Sequence, residues 1–329
     1  TGTLLFRINT SYTGSYTVAA GATIEFAAGS HTNTATSSFT GAGTLVFSGG
    51  ASHHQGSYSV TGTTRIRGGT LVLASDATMG GALDFSNGTL EIADSVTVAG
   101  AMNWTGGSLS GAGELSIPAG STLLLAGTGM KTLGGPTLRL AGTAHWEGTG
   151  ALYAGSGSLF QIEPSGLWEI RNDANTYYTY SAPTATLNNN GTIRKLASTG
   201  TTTVASQSFT CNNHGLVDVQ TGTLAFRTGG TATGGYTVAA DATIDFGSGN
   251  RTNSSISSIS GAGSVVASSG VTHHEGSYAV AHSTTVSGAT LSLMGPTSNL
   301  GTNVTVSGGT LALTSDLTVT GEVNLSGGT

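Results

Sequence analysis

Residues 1–78 return without a gap as residues 221–298, and no other property of this 329-residue chain limits its fold as strongly. Thr1-Gly-Thr-Leu4 recurs as Thr221-Gly-Thr-Leu224, Tyr16-Thr-Val-Ala-Ala20 as Tyr236-Thr-Val-Ala-Ala240, and His53-His54 as His273-His274. After one inserted residue, Ser86-Asn-Gly-Thr-Leu90 is answered by Ser307-Gly-Gly-Thr-Leu311, and the match runs to Thr329. Residues 1–220 therefore read as one long unit and 221–329 as a truncated second copy continuous with it. Copies of this length point to a tandem array. A chain that opens at Thr1 without Met is expected to be an interior piece of a longer polypeptide.

Inside each copy runs a shorter period. Gly69-Thr-Leu-Val-Leu73, Gly88-Thr-Leu-Glu-Ile92 and Gly107-Ser-Leu109 follow one another at one constant interval. Each cassette alternates small polar and apolar residues between Gly, Ser or Asn, the pattern of a short strand. A strand recurring at that interval marks one coil of a parallel β-helix. Over 141–220 the coils lengthen, because Gly142, Gly166, Gly191 and Gly215 are spaced more widely and almost evenly. The two spacings together predict irregular coils of about 19 to 25 residues. Two positions after each of these four glycines stand Ala144, Trp168, Ile193 and Val217, assigned to the inside. Four before stand Leu138, Ile162, Leu187 and Cys211, also inside, so the single cysteine reads as a core residue. Alternation then places His145, Glu169, Arg194 and Asp218 outside, in a surface charge ladder.

A coil is too short to bury its own apolar face, but stacking piles the Leu, Val and Ile of successive coils into columns and gives every strand hydrogen-bonded neighbours. Coils averaging roughly 22 residues, stacked at about 4.8 Å, predict a rod on the order of 70 Å long. The alternative, a sandwich of hairpins, would show Asn-Gly or Asp-Gly turns between paired runs rather than columns at a set period.

Composition agrees. Only 8% of residues are charged and 53 are Gly, which disfavours helices, whereas 37% are hydrophobic, which sets the chain apart from disordered linkers. A net charge of −6 with ten scattered Lys and Arg argues against nucleic acid as a partner. No apolar run reaches the length of a membrane span, and one cysteine excludes an internal disulfide framework.

The order Gly2-Thr-Leu-Leu-Phe6, Asn9-Thr-Ser-Tyr12-Thr-Gly14, Tyr16-Thr-Val18, Gly21-Ala-Thr-Ile-Glu-Phe26 resembles the passenger-domain repeat of bacterial autotransporters and related filamentous-haemagglutinin-like surface proteins. Gly43-Thr-Leu-Val-Phe47 through Gly69-Thr-Leu-Val-Leu73 matches it again, with His53-His54-Gln55 where that pattern has Asn-x-Tyr. The resemblance implies a right-handed parallel β-helix, all-β, in an extracellular or cell-surface setting. The function expected is a non-catalytic structural stalk or adhesin segment of a large fibre protein, its partners being neighbouring repeats, host or environmental glycans or proteins, and other fibres.

The candidate constellations are few. Trp146, Trp168, Tyr177, Tyr178 and Tyr180 cluster in the stretch least like the short coils, and aromatic faces there are the candidate for stacking on sugar rings. The inward frame competes, making Trp146 and Trp168 core fillers of a wider coil. A loop projecting near 171–183 is the second candidate, because binding concentrates on loops carried by a rigid scaffold. His53-His54 and His273-His274 suggest zinc, but neighbours on a strand face opposite ways and no third ligand is near, so a turn or exposed strand is expected and no metal. Thr32-Asn-Thr-Ala-Thr36 and Thr201-Thr-Thr203 raise ice binding, which coils of unequal length are expected to spoil. A polysaccharide-degrading enzyme would need gathered carboxylates or a calcium repeat. The closest acidic group is Glu163, Glu169 and Asp173, so no catalytic residue and no cofactor is expected.

Overall fold

A computed structural model describes residues 1–179, 181–206, 208–314, 317, 319 and 321–329. Among the described residues the chain is strand and turn throughout, with parallel pairing in every ladder and no helix. No helix is therefore long and apolar enough to cross a membrane. The chain forms a parallel β-solenoid. It divides into two compact units, Thr1–Gln161 with Thr179–Pro183, and Ile162–Tyr178 with Thr184–Thr329, a division that does not follow the long sequence repeat.

In the first unit a regular coil contributes three short strands, one to each face, as in Thr63–Ile66, Thr70–Leu73 and Ala77–Met79. The next coil repeats them as Leu83–Phe85, Thr89–Ile92 and Ser95–Val98, all three in register at the interval of the Gly-Thr-Leu cassettes. Period-2 alternation sends every second side chain inward, and register stacks those side chains on their counterparts one coil away. One interior column reads Phe6, Phe26, Phe47, Ile66, Phe85, Trp104, Leu125, Trp146. Its rings stack: Phe26 lies 5.2 Å from Phe6 and 5.3 Å from Phe47, within 14° of parallel. The corners carry glycine for a steric reason. Gly69 and Gly88 have φ of +66° and +85°, and a Cβ there would sit 2.4 and 2.5 Å from the carbonyl oxygen of the equivalent glycine one coil earlier.

The second unit is built the same way from coils of unequal length. Trp168, Ile193, Val217, Tyr236, Ile259 and Tyr278 stack in register, all fully buried, although the stretches of chain between them differ in length. This column keeps its register across the longer coils, while the strand Thr201–Ser206 takes up an extra residue as a register shift between Val204 and Ser206. Cys211 is buried in register with Leu187, as the spacing expects. Burial pushes its thiol well above the usual range, against a weaker opposing pull from Arg251.

Candidate functional site

The outer face of the second unit carries the charge column. Glu169, Arg194 and Asp218 occupy matching positions on the strands Leu167–Ile170, Thr192–Lys195 and Leu216–Val219. Arg194 Nε donates to Asp218 Oδ2 at 2.9 Å, and Arg194 Nη1 lies 3.8 Å from Glu169 Oε1. Arg171 Nη2 donates to Glu169 Oε2 at 2.6 Å, so two guanidiniums neutralise a carboxylate that is only 9% exposed. Asp218 also accepts from Gln220 Nε2 at 2.9 Å and Thr237 Oγ1 at 3.2 Å. His145 belongs to the first unit, half-buried in register with Leu124.

The aromatic candidates separate. Trp146 and Trp168 are fully buried, as is Trp104, so their rings present no face to solvent. Trp146 Nε1 donates to the Gly150 carbonyl at 3.3 Å. Tyr177 is 40% exposed and Tyr178 half-buried, with Asn175 Nδ2 donating to the Tyr177 hydroxyl at 3.3 Å. Tyr180 lies outside the described residues.

The stretch 172–176 is hydrogen-bonded to residues 195–206 of its own unit. The Asn172 carbonyl accepts from Lys195 Nζ, Ser198 Oγ and Thr202 Oγ1 at 3.0, 2.9 and 2.6 Å. Thr203 N donates to Asn175 Oδ1 at 2.9 Å, and Ala205 N to Thr176 Oγ1 at 2.6 Å. At the centre is Lys195, an ammonium with no solvent exposure, which also donates to Asp173 Oδ1 at 3.0 Å, Ser198 Oγ at 2.8 Å and Thr202 Oγ1 at 3.0 Å. Burial pulls the lysine down, and its bond to Asp173 pulls the other way. Burial alone would raise Asp173, but bonds from Lys195 and Ser198 outweigh it and hold the carboxylate low. Glu169 and Asp173 are therefore both held in ion pairs.

One expectation is corrected. His54 and His274 are not exposed: they occupy inward positions of their strands, fully buried, with Nε2 bound to the carbonyls of Ser57 and Ser277 at 3.0 and 2.9 Å. The physical reason is alternation, which turns His53 outward and uses His54 to tie down the corner that follows. Thr17, Thr40, Ser59, Thr78, Thr97 and Ser116 form one outward column that crosses a longer coil and then the shorter ones after it.

Sequence reading missed the buried cations. Lys195 stands two residues after inward Ile193, and Lys131 two before inward Leu133, so the alternation that placed the apolar residues also places the lysines inside. Lys131 Nζ donates to the Gly129 carbonyl at 3.0 Å, and burial lowers its pKa to about 8. Arg251, also buried, lies over the rings of Phe226 and Phe246 at 5.2 and 5.5 Å and donates to the Tyr236 hydroxyl at 3.2 Å. Among the described residues no group of three or more His, Cys, Asp or Glu side chains is placed to hold a metal ion.

No protein-family model, no curated protein and no solved structure matches the chain.

Proposed function

We propose that this chain is a non-catalytic structural segment, a stalk or adhesin piece, of a large repetitive cell-surface or extracellular fibre protein of the autotransporter-passenger or filamentous-haemagglutinin-like kind. The observation that carries this reading is where the sequence spends its chemistry. Buried aromatic and aliphatic columns run through each unit, and Glu169, Asp173, Lys195 and Arg251 are engaged in fixing the coils to one another. Such a molecule supplies length, stiffness and resistance to proteases, because each coil is held along both strand edges by its neighbours. Stretching single molecules between their ends tests this. Release of one or a few coils at a time, with the rest still folded, supports the stalk; loss of all coils in one low-force event refutes it.

A second reading, a carbohydrate- or protein-binding module, is favoured by one observation, the exposed ring of Tyr177 beside Tyr178. Glycan arrays comparing the native chain with Tyr177→Ala and Tyr178→Ala separate the two. Binding that disappears with the tyrosines supports the module, and identical array profiles remove it.

A further inference from the structure

Both lysines of the chain are fully buried, and they are served unequally. Lys195 meets four oxygens, one of them on the Asp173 carboxylate. Lys131 donates to a single oxygen, the Gly129 carbonyl at 3.0 Å, and among the described residues it forms no ion pair with an Asp or Glu. Burial alone moves its pKa, to about 8, so at neutral pH the amine is still mainly charged. An ammonium has three N–H donors and no acceptor, so most of its donors and the whole of its charge are unmet. A buried charge without a counter-charge is strongly unfavourable.

A second unmet donor lies at the same corner. Trp104 ends the strand Ala101–Trp104, and Gly107, which begins the next strand of that coil, is the register partner of Lys131. Gly129, whose carbonyl holds the ammonium, packs on the corner between them: a Cβ there would sit 2.4 Å from the Thr105 carbonyl oxygen. Trp104 is 0% exposed, and its indole N–H has no acceptor. Trp146 shows the contrast, because its Nε1 donates to Gly150, the glycine that stacks on Gly129. The Trp104 coil turns through Thr105 and Gly106 alone, and the Gly129 carbonyl above it is engaged by Lys131. Outside this corner runs a groove of about 320 Å³, with Gly106, Gly107, Gly129 and Met130 along it and the polar side chains of Asn87 and Ser108 on its wall. No charged residue lines it.

We propose that this corner binds one small monovalent anion of the chloride kind, with the Lys131 ammonium supplying the charge, the Trp104 indole N–H a second donor, and the groove the way in. Neither donor can satisfy the other, since both lack an acceptor atom. A water accepts from both but leaves the ammonium uncompensated, whereas a halide accepts from both and neutralises it. A single ion fits where a tetrahedral oxyanion does not, because the corner is closely packed: a Cβ on Gly107 would meet the Phe85 ring at 2.7 Å and the Gly88 carbonyl oxygen at 2.8 Å. The bound ion would tie the corner at 105–107 to the exposed corner at 127–130 of the next coil. The inference concerns the first unit and holds whether or not the chain serves as a stalk.

The test follows thermal unfolding of the full chain at neutral pH while gluconate is replaced by chloride at constant ionic strength. The native midpoint is expected to rise by about 2 °C or more as the site fills. Lys131→Met, which keeps the volume and removes the charge, is expected to show no such rise. Trp104→Phe, which keeps a ring against Phe85 and removes the N–H, is expected to need roughly fivefold more chloride for half the rise. In crystals grown with bromide, the anomalous signal of the ion is expected within hydrogen-bonding reach of Lys131 Nζ. Equal rises in the native chain and Lys131→Met, or no bromide at this corner, overturn the proposal.

Discussion

Arg251 occupies in the second copy the buried position that His31 occupies in the first. His31 Nε2 donates to the Ala28 carbonyl at 2.9 Å and its Nδ1 shares a 2.6 Å hydrogen bond with Thr10 Oγ1, whereas Arg251 reaches across the core to Tyr236 and lies over two phenylalanine rings. The same coil position thus accepts either an imidazole or a full guanidinium. Arg251→Ala, which leaves a cavity between Phe226 and Phe246, is expected to destabilise the chain by about 3 kcal/mol. Arg251→Met keeps the volume and removes a desolvated charge, so it is expected to cost under about 1 kcal/mol or to stabilise. Urea unfolding of the two variants checks the order.

His54 and His274 make the fold sensitive to mild acid. Burial pulls both below the ordinary histidine value of 6.5, against the opposing effect of their bonds to Ser57 and Ser277; His53 beside His54 lowers it further. Below pH 6.5 the unfolded chain takes up these protons first, so stability falls as the pH drops from about 7 toward 5, by up to roughly 1.4 kcal/mol per pH unit for each histidine. The chain with both His54→Leu and His274→Leu is expected to show a flat unfolding midpoint over that range. A native chain equally stable at pH 7 and pH 5 would contradict this.

Lys131 acts in the same direction over a more alkaline range. Its folded pKa of about 8 lies below the ordinary 10.5, so between those values the unfolded chain binds the proton that the folded chain has released. Stability is expected to rise from pH 8 toward pH 10 by roughly 1 kcal/mol per pH unit. Lys131→Met is expected to be more stable than the native chain at pH 7 and to lose that rise in thermal melts.

The charge column is expected to contribute modestly. Arg194→Ala removes the bond to Asp218 but leaves Glu169 its bond from Arg171 and Asp218 its bonds from Gln220 and Thr237, so a loss of about 1 kcal/mol is expected. In a double-mutant cycle with Asp218→Ala, the coupling is expected to shrink in high salt.

Spacing alone made the coils legible, because Gly-Thr-Leu cassettes recurring at a constant interval need only period-2 alternation and a glycine corner. It also placed Ala144, Trp168, Ile193 and Val217 inside, and Glu169, Arg194 and Asp218 on matching positions of successive coils. What it missed were the polar residues inside: His54, Lys131, Lys195 and Arg251. Their positions follow the same alternation, but their chemistry suggests an exposed side chain; His54 and Lys131 bond the nearby Ser57 and Gly129 carbonyls, whereas Lys195 and Arg251 depend on acceptors gathered from other coils. Those acceptors, such as the Asn172 carbonyl on the coil before Lys195, come together through coil closure and have no local signature.

In-register stacking of coils is the claim on which the rest depends, and cysteine pairs on the outward hydroxyl column test it most directly. Thr78 and Thr97 are register partners on adjacent coils, whereas Ser116 lies one coil further, about 10 Å from Thr78. Cys211 is buried and does not compete. On mild oxidation, the chain with Thr78→Cys and Thr97→Cys is predicted to form an internal disulfide in nearly every molecule, and the chain with Thr78→Cys and Ser116→Cys to form none. Failure of the first pair to cross-link, or equal cross-linking of both, would contradict the solenoid.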